Sequence, residues 1–315
     1  MNKIKRLNIK LSEAQKLLAE LQERVNSDTD NFALKMSFRT VQNHVSDIQS
    51  QLQREKELRE KEVIELHLDG HIAKDGTIPL SVLSNISQHL SETVLSAAQH
   101  LKLGEKSRGR IKTDIAHTLN LRFAGISPGS TKLYITGNTS PDLFGFSLIE
   151  ESLNKTFKIL ETKKANELVD SVTDIGLRST KNLNKLLKAI NNSDLEMTLK
   201  WCAPDQSLHK WKGDAEKITT LTNTFESLQT TTPTYLEVRG ELIMASLKGQ
   251  FEIKDETEKI YRGTFPAILT EDVKELHLGE HCFATLERTI IKNKVTGYQK
   301  TSYSLKTIKA HNQRL

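Results

Sequence analysis

The stretch VIELHLDG, residues 63–70, is where the hydrophobic period of the chain changes. Ile64, Leu66 and Leu68 alternate with polar residues, as apolar residues do in a half-buried β-strand. Before this stretch apolar residues recur every three or four positions, and after it helical and strand patterns are mixed. The sequence therefore predicts an α+β protein in which a helical segment precedes a central domain that begins at residue 62.

Two heptad runs flank the polar turn NSDTDN (26–31) within residues 1–61. They predict an antiparallel helical hairpin, or coiled coil, with one apolar seam. The seam residues are Ile4, Leu7, Leu11, Ala14, Leu18, Leu21, Val25, Leu34, Phe38, Val41, Val45, Ile48 and Leu52. A lone hairpin is marginally stable, so we expect it to pack against the body, a second copy or a partner protein. The residues predicted to mediate oligomerisation are Leu7, Leu18, Leu21, Val41, Val45 and Leu52.

Residues 62–229 carry strand and helix signals in an order typical of an α+β domain with a mixed or antiparallel sheet. The predicted strands are 63–70, 118–126, 131–137 and 195–201, and the predicted helices are 81–101, 146–191 with a break at Gly176, and 214–228. Ser81 is a plausible N-cap for the first of these helices.

Residues 230–315 begin within the polar segment QTTTPT (229–234) and consist mostly of strand patterns. Five such runs, with a short helix TEDVKEL between the third and the fourth, follow the order of a five-stranded OB-like barrel. An SH3-like barrel is the nearest alternative. Gly240 interrupts the first long run, where a barrel strand bends sharply.

Composition and charge limit the class of protein. The chain has 45 basic and 40 acidic residues, a net charge of +5, which is less one-sided than in a dedicated DNA-coating protein. Cys202 and Cys282 lie far apart and form neither a CxxC pair nor a disulfide framework. Neither a signal peptide nor an apolar run long enough for a membrane helix is evident. These features predict a cytoplasmic protein with no membrane contact, and no cofactor is expected.

The loop LGEKSRGRIKTD (103–114) is locally basic and follows the predicted helix 81–101. Cations on such a loop, together with those of the last two strands, can follow a phosphate backbone, and barrel aromatics can stack on bases. The candidate nucleic-acid-binding residues, for DNA or RNA, are Lys102, Lys106, Arg108, Arg110, Lys112, Arg288, Lys292, Lys294, Lys300, Tyr298 and Tyr303. A basic surface that meets an acidic partner protein explains the same residues.

The sequence offers only weak candidates for a metal site, a phosphate-binding loop or a catalytic site. His67, Asp69 and His71 share one face of a strand and resemble metal ligands, whereas His281 and Cys282 point to opposite faces. GISPGSTK (125–132) leads into a strand and not into a helix, which excludes a Walker loop. No catalytic cluster is apparent, so the sequence favours a protein without enzymatic activity.

Three segments carry a resemblance to a known group: LHLDGHIAKDGTIPLSVLSNI (66–86), LRFAGISPGSTKLYITG (121–137) and VRGELIMASLKGQFEIKDETEKIYRGTF (238–265). Together they resemble prokaryotic accessory proteins that combine an α+β body with a small C-terminal barrel and accompany phage-defence genes. The resemblance covers about residues 63–310, excludes the hairpin, and assigns no role to any residue.

The sequence thus supports three hypotheses. The first is a bacterial, oligomeric adaptor or assembly subunit that contacts nucleic acid through loop 102–112 and the C-terminal barrel, within an antiviral defence system. The second is a protein–protein scaffold or a regulator of an effector. The third is a metal-dependent hydrolase that uses His67, Asp69 and His71.

Overall fold

A computed structural model of the chain describes residues 3–27, 31–59, 61–104, 109–127, 131–139, 147–162, 164–203, 207–246 and 249–310. Within the first sixty residues, side chains are described for 10–11, 13–27 and 31–50. None of the described helices is both long enough and apolar enough to cross a membrane.

The N-terminal residues form the two predicted helices, α1 (Lys3–Ser27) and α2 (Phe32–Arg59), which pack against each other. At 1.5 Å per residue they are roughly 38 and 42 Å long. Ala14, Val45 and Ile48 form a small buried cluster, and Leu11 and Leu18 pack against it. The Asn31 side chain accepts a hydrogen bond from the Leu34 N–H at 3.2 Å and so caps the start of α2.

The central unit is built around an antiparallel sheet in the order β2-β3-β1-β4-β5, with the predicted strand 63–70 at its centre. In chain order the elements are β1 (Lys61–Gly70), α3 (Leu80–Leu103), α4 (Thr113–Leu119), β2 (Arg122–Ser127), β3 (Lys132–Asn138), α5 (Leu148–Glu161), α6 (Ala165–Ile175), α7 (Leu177–Asn191), β4 (Leu195–Cys202), β5 (Leu208–Gly213) and α8 (Ala215–Glu226). Ile64, Leu66 and Leu68 are buried against the helices, as their alternation predicts.

The other face of this sheet is mostly polar, with Val63 and Tyr134 among its residues. Glu65, His67 and Lys132 belong to it, and all three are partly exposed. The apolar alternation of β1 and β4 is thus explained by a helical layer that covers one face only.

Three details differ from the sequence-based expectations. Residues 113–119 form α4, although the prediction began a strand at 118. Residues 208–213 form strand β5, which was not predicted. Ser81 is not the N-cap of α3, because the helix begins at Leu80, after Pro79.

The C-terminal residues form a second sheet in the order β11-β9-β8-β7-β10-β6, and β11 pairs in addition with β10. Its elements are β6 (Leu228–Thr230), β7 (Thr234–Ala245), β8 (Gln250–Asp255), β9 (Ile260–Thr264), a 3-10 turn (Ala267–Leu269), α9 (Thr270–Lys274), β10 (His281–Asn293) and β11 (Gln299–Ala310). Leu242, Phe251 and Leu286 lie at the centre of its separate core. A mixed α+β architecture with two sheets is therefore confirmed.

Gly240 allows two strands to approach closely in the second sheet. A Cβ atom at this position would lie 2.2 Å from the Lys254 carbonyl oxygen on β8. The strand β7 continues through Gly240 without interruption, so the glycine serves close packing within an unbroken strand.

The two units are joined along α6. Lys300 of β11 forms an ion pair with Asp170 at 2.8 Å, and the Lys294 N–H donates to the Ser227 carbonyl at 2.9 Å. Ile291 of β10 is 2% exposed and belongs to the core of the central unit. Strand β10 therefore contributes a residue to the core of the central unit.

Candidate nucleic-acid interface

The basic loop starts where α3 ends at Gly104, whose φ of 83° needs a residue without a side chain. The Gly104 N–H donates to the His100 carbonyl at 2.8 Å. A Cβ atom on Gly104 would lie 3.6 Å from Pro266 Cγ and 3.7 Å from Lys306 Nζ. The loop therefore leaves the central unit at the wall of the second sheet.

The cations of this loop differ in exposure. Lys102 is half-buried in the last turn of α3, whereas Arg110 and Lys112 are exposed. Lys106 and Arg108 lie outside the described residues. The Lys112 N–H donates to the Gln99 side chain at 3.0 Å, which ties the returning end of the loop to α3. Within the described residues, Arg110 and Lys112 form no ion pair with the protein's own acids.

The cations at the β10–β11 turn form a second group. Lys292 and Lys294 are exposed, and Lys300 is held by Asp170. Lys300 and Lys306 lie six residues apart on β11, which corresponds to roughly 20 Å of strand. The structure therefore separates the turn group from the basic loop, and the two lie towards opposite ends of β11.

The two tyrosines predicted to stack on bases contribute to packing. Tyr298 is half-buried against the core of the central unit. Tyr303 packs against the second core and meets the Tyr261 ring edge to face, at 5.3 Å between centroids. Both rings therefore offer only part of their surface to a ligand.

Arg288 stands out among the predicted residues. It lies opposite Tyr303 in the β10–β11 pairing, and its Nε atom is buried without a hydrogen-bond partner among the described residues. A buried donor without an acceptor costs free energy, about 1–3 kcal/mol or more for a charged group. Because this Nε atom is buried, that part of the guanidinium is not accessible to an external acceptor.

Sequence reasoning missed Lys259, which adjoins the same tyrosines. Its Nζ lies 4.6 Å from the centre of the Tyr261 ring, and the hydrogen bond with the Tyr261 hydroxyl raises the Lys259 pKa. Lys259 and Tyr261 are two residues apart in the sequence, at the start of β9, and this spacing was a usable signal. Lys259, Tyr261, Tyr303 and Arg288 thus form one row, here called the tyrosine cluster.

The structure does not support the predicted metal ligands. Over the described residues, no group of three His, Cys, Asp or Glu side chains is placed to hold a metal ion. His67 is half-buried on the polar sheet face, whereas Asp69 and His71 are exposed near the end of β1. Cys282 is buried while His281 is exposed, so these two side chains diverge as the alternation predicted.

Comparison of the chain with protein-family models, with curated proteins and with solved structures found no significant match.

Proposed function

We propose that this protein is an adaptor or assembly subunit that self-associates through its N-terminal hairpin and holds nucleic acid along its basic loop and C-terminal sheet. The proposal has two separable parts, oligomerisation and polyanion binding. The exposed apolar surface of the hairpin is the observation that carries the proposed self-association.

The hairpin has more apolar surface than its two helices cover. Leu18, Leu21 and Val41 are only half-buried in its seam. The side chains of Leu7 and Leu52 lie outside the described residues. Leu17, Phe32 and Met36 are 48%, 75% and 50% exposed. A second hairpin packed on this surface would give a four-helix bundle, in which such residues face a common core.

The C-terminal unit fits an OB-like barrel as the nucleic-acid-binding module. Its pairings run β7–β8–β9–β11–β10–β7 in a cycle, with β9 and β11 parallel at Ser304 and Thr264. This is the order first-second-third-fifth-fourth-first, with α9 between the third and fourth strands. Such barrels bind nucleic acid on their second and third strands. Here that face is β8–β9, which adjoins the tyrosine cluster.

The basic loop supports the same function. It begins beside Lys306 on the barrel wall, and Arg110 and Lys112 are exposed and unpaired among the described residues. These cations would position a phosphate backbone without reading its sequence. Because DNA and RNA share a phosphate backbone, the proposal covers both.

Light scattering tests the oligomerisation. The chain should be a dimer or larger at micromolar concentration, and the double variant Leu17→Asp/Met36→Asp should lower its mass. The control is Ile268→Asp/Leu278→Asp, which changes two apolar residues on the C-terminal unit that are 62% and 67% exposed. A wild-type monomer, or an unchanged mass in the hairpin variant, would show that the hairpin does not join copies.

A gel-shift titration with single-stranded DNA and RNA tests the polyanion binding. Arg110→Glu/Lys112→Glu should weaken retention on the order of tenfold and lower the salt slope by about two. The control, Lys181→Glu/Lys185→Glu, makes the same charge change on the exposed side of α7. Retention that is equal in both variants would rule out the loop.

The second candidate is a scaffold that binds proteins and no nucleic acid. A groove along the edge of the central sheet favours this second candidate.

A further inference from the structure

A groove of about 630 Å³ lies beside strand β5, between the end of α5 and the start of α8. Its floor includes Leu160, Leu168, Trp211 and Leu221, which belong to the main core. Charged residues line its rim: the lysines Lys164, Lys210, Lys212 and Lys217 and the acids Glu161, Asp214 and Glu216. The groove therefore combines an apolar floor with a charged border, in which the lysines of β5 lie at the strand edge.

β5 is an edge strand. Among the described residues it pairs with β4 alone, from Met197–Gly213 to Cys202–Leu208. The Lys217 ammonium lies 3.5 Å from the Lys212 carbonyl oxygen, which therefore faces away from β4. Because outward and inward groups alternate along an antiparallel strand, the N–H and C=O of Lys210 also face outward. Apart from the contact between the Lys212 carbonyl and the Lys217 ammonium, this row has no backbone partner among the described residues, and such an edge is a template for another strand.

Beside this edge, apolar and charged side chains lie on opposite faces of the sheet. Trp211 lies opposite Leu199 and is buried on the helical face of the sheet. Lys210 lies opposite Lys200 on the other face, where it is exposed and has no ion pair among the described residues. Lys212 shares that face and forms an ion pair with Glu196 at 2.9 Å. An added strand would therefore meet an apolar surface on one face and ammonium groups on the other.

We propose that this edge binds an extended segment of a partner protein as a sixth strand. The segment carries apolar side chains alternating with acidic ones. Its backbone pairs with Lys210 and Lys212, its apolar side chains enter the groove over Trp211, and its carboxylates lie beside the two lysines. Strand addition of this kind takes its affinity from main-chain hydrogen bonds and its specificity from alternate side chains. The proposal is independent of the hairpin and of nucleic-acid binding.

A fluorescein-labelled peptide of four alternating Val-Glu pairs is the probe, and anisotropy on the full chain is the readout. We expect saturable binding that is at least tenfold tighter than that of a Val-Lys repeat or of a peptide with four valines followed by four glutamates. Equal affinity for the three peptides, or no saturation at millimolar concentration, would overturn the proposal.

Two peptide derivatives test the backbone pairing on the unaltered protein. One is N-methylated at each valine and the other at each glutamate. In an added strand only alternate N–H groups face the partner edge, so one derivative should lose at least tenfold in affinity while the other binds normally. Equal effects of the two methylation patterns would exclude strand addition.

Lys210→Pro tests the same point from the protein side. It removes an outward N–H that β4 does not use, so the β4–β5 pairing remains intact. It should abolish binding, whereas Lys210→Ala, which keeps the backbone N–H and removes the side-chain ammonium and its stem, should weaken binding a few fold. Equal binding by the two variants would contradict the proposal. If the peptide does not bind and Lys210→Pro lowers the oligomeric mass, the edge pairs with a second copy and the proposal is wrong.

Discussion

The indole N–H of Trp201 donates a hydrogen bond of 2.5 Å to the carboxylate of Glu62 at the start of β1. Both side chains are buried, at 1% and 4% exposure. Burial raises the Glu62 pKa above 4.5, the Trp201 hydrogen bond opposes this shift, and the Glu150 carboxylate adds to it. This polar contact thus lies inside the core of the central unit, where the chain passes from α2 into β1.

Replacing Glu62 by Gln should change the pH dependence of stability. Because the folded-state pKa is raised, the folded state binds the proton more tightly, and stability falls as pH rises from the unfolded pKa through the folded one. Glu62→Gln should remove this fall, so that the variant equals or exceeds the wild type at pH 7.5. Each unit of pKa shift corresponds to about 1.4 kcal/mol. Urea unfolding at pH 4 and pH 7.5 measures the difference.

The exposed change Glu256→Gln is the matched control and should leave the pH profile unaltered. A Glu62→Gln variant that is clearly less stable than the wild type at pH 7.5 would mean that the ionised carboxylate stabilises the fold.

Trp201→Phe should destabilise the fold, because it leaves the Glu62 carboxylate buried without its indole donor. We expect a loss of about 2–4 kcal/mol in the free energy of unfolding from the lost hydrogen bond and packing. In the Glu62→Gln background the same change should cost less. Additive effects in this double-mutant cycle would show that the two side chains are not coupled.

The two cysteines should differ sharply in reactivity. Cys202 is exposed, whereas burial, assisted by the Glu280 charge, raises the pKa of Cys282 to about 11. At pH 8 a thiol of that pKa is roughly one part in a thousand thiolate. Ellman's reagent should therefore titrate one thiol per native chain and two after denaturation. Native Cys202→Ser should titrate none, and a rapid reaction of that variant would show that Cys282 is accessible.

Gly240→Ala should destabilise the second sheet, although a change from glycine to alanine often stabilises a compatible site. The new methyl group would meet the Lys254 carbonyl, a backbone atom that cannot rotate away. We expect a loss of about 1–3 kcal/mol, typical of overpacking. Thermal unfolding measures it, with Glu237→Ala on the exposed side of the same strand as control. A Gly240→Ala variant as stable as that control would mean that the strands can separate at little cost.

Sequence periodicity predicted the hairpin, the central strand and the last five strands, because each buries one face over several residues. It missed β5, whose alternation in LHKWKG depends on His209. His209 was counted as polar, but it stacks on the Trp201 ring at 5.0 Å and so takes the place of an apolar residue. It missed α4 because Ile115 and Leu119 alone are too few to reveal a helical period.

The candidate sites were less predictable. The buried position of Glu62 was available from the sequence, since it shares the alternation of Ile64, Leu66 and Leu68. The tyrosine cluster depends on the pairing of strands far apart in the chain, and the groove depends on where α5 and α8 lie beside β5. No local pattern contains that information.

The placement of Ile291 has a consequence for synthesis on the ribosome. The central core lacks one of its members until β10 has emerged from the exit tunnel, because Ile291 is supplied by that late strand. The nascent chain must therefore hold α6 and its neighbours with an incomplete core until the second sheet has been synthesised. A chaperone that protects apolar surface during that interval would act on the central unit while the strands of the second sheet are emerging.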